Sequence, residues 1–182
     1  NSSFAYIGQS GLANESNTIS CNTSAGIILE NSTNVFVKRN NIGTTFPGDG
    51  ALGVQNIGIY CGGSGLSNIE IGGDNNIDGN LIAGNVSNGI ELSNTTGIQI
   101  YGNSIGGFNT QDNGIKLIGA TCTGNFIGKT PHGQFANEIY SNADNGIFIE
   151  GGATLNTIAA NYIGFLRSNT LPTNNQPDRK SV

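Results

Sequence analysis

Asn88-Gly89-Ile90-Glu91-Leu92, followed after a short break by Gly97-Ile98-Gln99-Ile100-Tyr101-Gly102-Asn103, decides how this chain folds. Ile90 and Leu92 fall on one side of an extended backbone and Glu91 on the other, and Ile98 and Ile100 flank Gln99 in the same way. A period of two marks a β-strand with one buried face. Strands this short, bounded by Gly and Asn, cannot stand alone as hairpins. They become stable when equivalent strands stack on them from the coils before and after, so that each coil buries its inward apolar residues against its neighbours.

The rest of the chain repeats the phrase. Ala25-Gly26-Ile27-Ile28-Leu29, Ile57-Gly58-Ile59-Tyr60-Cys61, Asn113-Gly114-Ile115-Lys116-Leu117 and Asn145-Gly146-Ile147-Phe148-Ile149 are copies of the first stretch. A separate phrase, Ile-Gly preceded by Asn and one spacer, recurs between them as Asn40-Asn41-Ile42-Gly43, Asn103-Ser104-Ile105-Gly106, Asn125-Phe126-Ile127-Gly128 and Asn161-Tyr162-Ile163-Gly164. Successive Gly-Ile isoleucines lie 32, 31, 25 and 32 residues apart, so the shortest step fits a three-strand coil and the longer ones hold loops or an extra partial coil. Thr44 to Gln55 and Lys129 to Phe135, with their Pro-Gly and Pro-x-Gly turns, read as loops. The expected fold is all-β: a parallel β-helix solenoid of roughly six to eight short-stranded coils over 1–165, with no helical domain. Residues 166–182 read as an irregular tail or the start of a further coil.

Composition narrows the partners. Only 10 % of the 182 residues are charged, the net charge is −5, and Gly (29) and Asn (28) dominate, so solubility rests on amides and hydroxyls. No basic stripe exists to neutralise phosphates, which argues against nucleic acid as a partner. No apolar run is long enough to insert in a bilayer. Three widely spaced cysteines, Cys21, Cys61 and Cys122, with a single His, do not form a zinc pattern. They read as buried free thiols, with a disulfide between stacked coils as the alternative; Cys61 in particular occupies an inward slot of its strand. A chain that opens at Asn1 without Met is expected to be a processed product or a piece of something longer, secreted or at a cell surface.

Asparagine recurs where strands end, at Asn22, Asn40, Asn85, Asn103, Asn125, Asn142 and Asn161. A corner residue that tolerates left-handed angles, and whose amide can bond the equivalent amide one coil away, predicts an asparagine ladder at these positions.

Together, the Asn-Gly-Ile-x-Leu and Gly-Ile-x-Ile-x-Gly-Asn phrases resemble the repeats of right-handed parallel β-helices of the pectate-lyase-like superfamily. The Ile-Gly and Asn-x-Ile phrases resemble those of large bacterial surface and secreted proteins. This resemblance covers roughly residues 5 to 165 and implies handedness and fold; members of that superfamily include polysaccharide lyases, glycosidases, adhesins and inert spacers, so it does not choose an activity.

Candidate chemistry is sparse. Lyases of this fold, as the resemblance implies, bring acidic groups and a basic residue to one outer face to abstract a proton from a uronate. Here the outward column Ile28, Tyr60, Glu91, Lys116, Phe148 sets Glu91 beside Lys116, about 5 Å apart in a parallel ladder. A surface ion pair is the simpler account. For a glycosidase two carboxyl groups are needed, and the chain offers Asp112 and the Pro131-His132-Gly133 loop but no adjacent Asp pair. If the chain is an enzyme, Glu91, Lys116, Asp112 and His132 carry the reaction. Asp74-Asn75-Asn76-Ile77-Asp78-Gly79 matches the opening of a calcium loop, with Asp74, Asn76 and Asp78 as oxygen donors, but Asn85 stands where the bidentate Glu belongs. No cofactor is otherwise indicated. Phe36, Tyr60, Tyr101 and Phe148 are the aromatics whose alternation points outward and are the candidate sugar-stacking surface.

The sequence thus favours a non-catalytic extracellular structural or adhesive module. Its expected partners are copies of itself stacked end to end, or a longer parent chain, together with a polysaccharide on its outer face. A polysaccharide lyase or glycoside hydrolase is the rival reading.

Overall fold

A computed structural model describes residues 4–8, 16–45, 48–52, 54–74, 78–128 and 136–164. The tail at 166–182, His132 and Asn76 lie outside the described residues. Among those described, every regular element is a strand, and successive strands visit three sheets in strict rotation. Sheet A holds β1 (Ala5–Ile7), β4 (Thr33–Val37), β7 (Ser67–Gly72), β10 (Gln99–Tyr101), β13 (Phe126–Ile127) and β16 (Thr157–Ile158). Sheet B holds β2 (Thr18–Ile19), β5 (Asn41–Ile42), β8 (Leu81–Ile82), β11 (Ser104–Gly106), β14 (Glu138–Tyr140) and β17 (Tyr162–Ile163). Sheet C holds β3 (Ala25–Glu30), β6 (Ile57–Gly62), β9 (Asn88–Ser93), β12 (Asn113–Ile118) and β15 (Asn145–Glu150).

Each strand pairs in parallel with the strand three earlier and the strand three later, which is the connectivity of a parallel β-solenoid. The described strands make five full turns and two strands of a sixth, fewer than the six to eight expected. Among the described residues, the strands on either side of each long repeat step keep the strict rotation, so the extra length falls between β5 and β6, between β7 and β8, and between β13 and β14. No helix among the described residues is long and apolar enough to cross a membrane.

Period-two alternation places the core where the sequence put it. In sheet C, Ile27, Ile59, Ile90, Ile115 and Ile147 form one inward column and Leu29, Cys61, Leu92, Leu117 and Ile149 the next. The middle members, from Ile59 to Leu117, are wholly buried, each stabilising the fold by about 1.5–3 kcal/mol for an aliphatic side chain. Sheets A and B contribute matching columns, Ile7-Val37-Ile71-Ile100-Ile127-Ile158 and Ile19-Ile42-Ile82-Ile105-Ile139-Ile163. Glycine precedes isoleucine in sheet C because the next coil comes too close for a side chain. A Cβ on Gly114 would meet the Gly146 carbonyl oxygen and the Ile139 Cγ2 at 2.6 Å each.

The asparagine ladder exists, but it is several rows and its geometry differs from the expectation. At the corner between sheets A and B, Asn17, Asn40, Asn80, Asn103, Asn137 and Asn161 form one row in which each Nδ2 donates to the next Oδ1 at 2.8–3.0 Å. Between sheets B and C the row alternates, Asn22-Gln55-Asn85-Gln111-Asn142, with steps of 2.8–3.2 Å. Asn125 belongs to a third corner, donating to Asn156 Oδ1 at 2.9 Å. A further row, Asn145 to Asn113 to Asn88, runs along the start of sheet C.

None of the seven asparagines named from the sequence adopts a left-handed φ. The residue just before each one does: Cys21, Arg39, Gly84, Gly102, Gly124, Ser141 and Ala160 have φ between 48° and 74°. The left-handed residue makes the bend, and the asparagine after it turns inward to meet its equivalent in the next coil.

The cysteines also need one correction. Cys61 and Cys122 are buried free thiols, as expected, but Cys21 is exposed at the bend before Asn22, and no disulfide links the three.

Candidate functional site

Sheet C presents its outer face through the column Ile28, Tyr60, Glu91, Lys116, Phe148, in the register read from the sequence. Glu91 and Lys116 are neighbours across β9 and β12, yet they do not form the ion pair anticipated. Lys116 Nζ reaches the next coil instead, 2.8 Å from Glu150 Oε1 and 5.6 Å above the Phe148 ring. Glu91 accepts a hydrogen bond from Asn88 Nδ2 at 2.7 Å within its own strand. The two groups a lyase would aim at one substrate carbon are thus turned to separate partners. Asp112 is exposed at the corner leading into β12; burial of its carboxyl, and then the charge of Asp144, hold it above the usual aspartate range.

A second cluster, on sheet A, was not read from the sequence. Lys38 Nζ lies 2.6 Å from Glu70 Oε1 and 3.5 Å from Asp78 Oδ2, with all three side chains less than one-fifth exposed. It also sits 5.6 Å above the Phe36 ring. Burial opposes the lysine charge, but the hydrogen bond and charge of Glu70, with Asp78, outweigh it and keep the ammonium protonated. A lysine held this way is a clamp between strand and turn, not a base. Register could have exposed it: Glu70 follows Phe36 across β4 and β7, and Lys38 lies two residues beyond Phe36. Asp78, distant in sequence, arrives through the turn after β7.

The four aromatic candidates separate. Tyr101 is only 3 % exposed, and its hydroxyl is held in the neutral form, above its ordinary range, by burial and by its hydrogen bond to Glu70. It stands on the outer side of sheet A, as its alternation reads, but is covered there and offers no stacking platform. Tyr60, Phe36 and Phe148 are partly exposed. Phe36 is stacked by Tyr6 at 5.2 Å and met at a tilt by Phe4 at 5.8 Å, making an aromatic patch whose Phe4 and Tyr6 are both more than half exposed. Phe126 lies exposed in the same outward column. Phe4, Tyr6 and Phe126 were not among the aromatics whose outward position was read from the sequence.

Of the calcium-loop donors, Asp74 and Asp78 are described. Asp78 is committed to Lys38, and its Oδ1 is buried without a hydrogen-bond partner. Among the described residues no group of three His, Cys, Asp or Glu side chains is arranged to hold a metal ion.

No protein family matches the chain, and searches of the curated proteins and of the solved structures return no significant match.

Proposed function

We propose that this chain is a non-catalytic structural or adhesive module, a right-handed solenoid of the pectate-lyase-like kind that is secreted or displayed at a cell surface. It extends end to end and offers its outer face to polysaccharide. The observation that carries this reading is the engagement of Lys116 by Glu150 and Phe148, and of Glu91 by Asn88, which neutralises the lysine and turns Glu91 away from it. Rows of carboxamides and columns of isoleucine fix the interior, the design of a rigid spacer. The exposed Phe4-Tyr6-Phe36 patch and the amide-rich surface around it supply rings and hydrogen-bonding groups of the kind that hold sugar chains.

Incubation with acidic and neutral polysaccharides tests the proposal. Binding without release of new reducing or unsaturated ends is the expected result. Release of such ends, lost in Lys116→Ala while the fold is retained, would establish the lyase reading in its place.

A further inference from the structure

Lys38 follows β4, Glu70 lies within β7, and Asp78 stands between β7 and β8, 40 residues beyond the lysine. Backbone bonds hold the two stretches side by side. Arg39 N–H donates to the Asp78 carbonyl at 3.1 Å and Asn40 N–H to Asn80 Oδ1 at 3.0 Å. Gly73 makes the room, since a Cβ there would meet Asp78 Cβ at 2.5 Å and Oδ2 at 2.9 Å. Lys38 Nζ is thereby set between two carboxylates, with side-chain exposures of 12 % for the lysine, 18 % for Glu70 and 5 % for Asp78.

We infer that Lys38 and Asp78 condense into an amide, a cross-link that the folded chain makes by itself between the end of β4 and the connection from β7 to β8, with Glu70 carrying the protons. The inference stands apart from polysaccharide binding and from end-to-end assembly. Nζ is 3.5 Å from Asp78 Oδ2, which puts the nitrogen beside the carboxyl group. Reacting groups held ~3–3.5 Å apart and shielded from water gain most of what proximity can give. The ion pair also has a reason to react. Asp78 Oδ1 is buried without a hydrogen-bond partner, and an unpaired buried oxygen costs more on a charged group than on a neutral one. Condensation replaces two buried charges by one neutral amide.

The atoms balance without a co-reactant. The ammonium gives one proton to Glu70 Oε1, 2.6 Å away, which passes it to the Asp78 carboxylate. The freed amine electron pair attacks the carboxyl carbon and the C–N bond forms. The second proton follows the same route, the C–O bond breaks with its electron pair staying on oxygen, and water leaves. One hydrogen remains on the amide nitrogen. Glu70 ends as the carboxylate it began as, still hydrogen-bonded to the Tyr101 hydroxyl, and nothing is oxidised or reduced. The ammonium is the resting form, so the bond accumulates over time in the folded chain.

Mass spectrometry of the full chain, held folded until its mass no longer changes and then denatured and reduced, reads the bond. The expected mass is one water below that of the 182 residues. After digestion, the peptides holding Lys38 and Asp78 should run as one branched species. Asp78 precedes Gly79, and an Asp-Gly pair can also lose water by cyclising on its own backbone. Lys38→Arg separates the two routes, because arginine keeps the positive charge but is too weak a nucleophile to form the amide. Full mass is expected in that variant; a missing water that persists there would assign the loss to Asp78-Gly79 and overturn the cross-link. Glu70→Gln should also stay at full mass with an unchanged circular dichroism spectrum, and a complete bond in it would overturn the role of Glu70. Full mass in the folded parent chain would overturn the inference outright.

Discussion

Asn103 Oδ1 accepts two hydrogen bonds from Asn80, from its side-chain Nδ2 at 2.8 Å and from its main-chain N–H at 3.1 Å. The Asn103 Nδ2 in turn donates to the carbonyls of Ile71 and Tyr101 and to Asn137 Oδ1. One buried carboxamide thus links three successive coils, and both asparagines are 1 % exposed. Replacing Asn103 with Leu orphans the buried Asn80 main-chain N–H, at about 1–3 kcal/mol, and removes one donor each from the Ile71 and Tyr101 carbonyls and from Asn137 Oδ1. The expected loss in urea unfolding is at least about 1 kcal/mol. Asn103→Asp should be worse, because a carboxylate would face three acceptors. An unchanged midpoint in either variant would remove the row from the account.

Gly114 and Gly97 separate two uses of glycine. Gly114 has no room for a Cβ, whereas Gly97 has φ of 71° with nothing within 4 Å of where a Cβ would sit. Gly114→Ala should destabilise by about 1–3 kcal/mol through overpacking. Gly97→Asn, which tolerates the left-handed region, should stay within about 1 kcal/mol of the parent. Equal midpoints for the two variants would mean that coil spacing does not limit the Gly-Ile phrase.

The three thiols should react unequally. Cys21 is exposed, while Cys61 and Cys122 are wholly buried. Burial pushes the Cys61 thiol up to about 12. A thiol reagent should therefore label Cys21 alone in the native chain and all three residues in denaturant. The linkage has a sign. The unfolded thiol ionises near pH ~8.5 while the folded one cannot follow, so stability falls as pH rises from there towards 12. Cys61→Val should flatten that decline, and an equally steep fall would show that another group sets it.

Asp112 tests the corner next to β12. Burial and the neighbouring Asp144 raise its carboxyl above the usual range, so the folded chain holds this proton more tightly than the unfolded chain does. Stability is therefore lost as pH rises through the folded value. Asp112→Asn should raise the melting temperature slightly at pH 7 and leave it unchanged at pH 3, below the unfolded value of about 3.9. A small effect is expected because the side chain is exposed. A lowered melting temperature at pH 7 would show that the charged form makes a favourable contact.

Much of the fold was legible because its determinants are local. Ile90 and Leu92 alternate with Glu91, the same phrase recurs, and stacking brings recurring phrases into register, so the column from Ile28 to Phe148 follows from the sequence. What escaped were residues whose partners depend on loop length or on equivalence between different side chains. Asn17, Asn80 and Asn137 all begin Asn-x-Ile phrases but lack the trailing Gly that marked Asn40, Asn103 and Asn161. Gln55 and Gln111 carry the same carboxamide one methylene further out, and a search for Asn alone passes over them. Lys38 meets Asp78, which lies between β7 and β8, 40 residues on in the chain, and no spacing announces that contact. The pairing of Lys116 with Glu150 and not with Glu91 is a choice between two acids within reach of one flexible side chain, and register alone does not make it.

Electron cryomicroscopy of the full chain over a range of concentrations tests the central claim, that this solenoid is a structural unit extended by its own copies. Filaments are expected, with strands stacked along the axis about 4.8 Å apart. Particles that remain single at every concentration would contradict the claim.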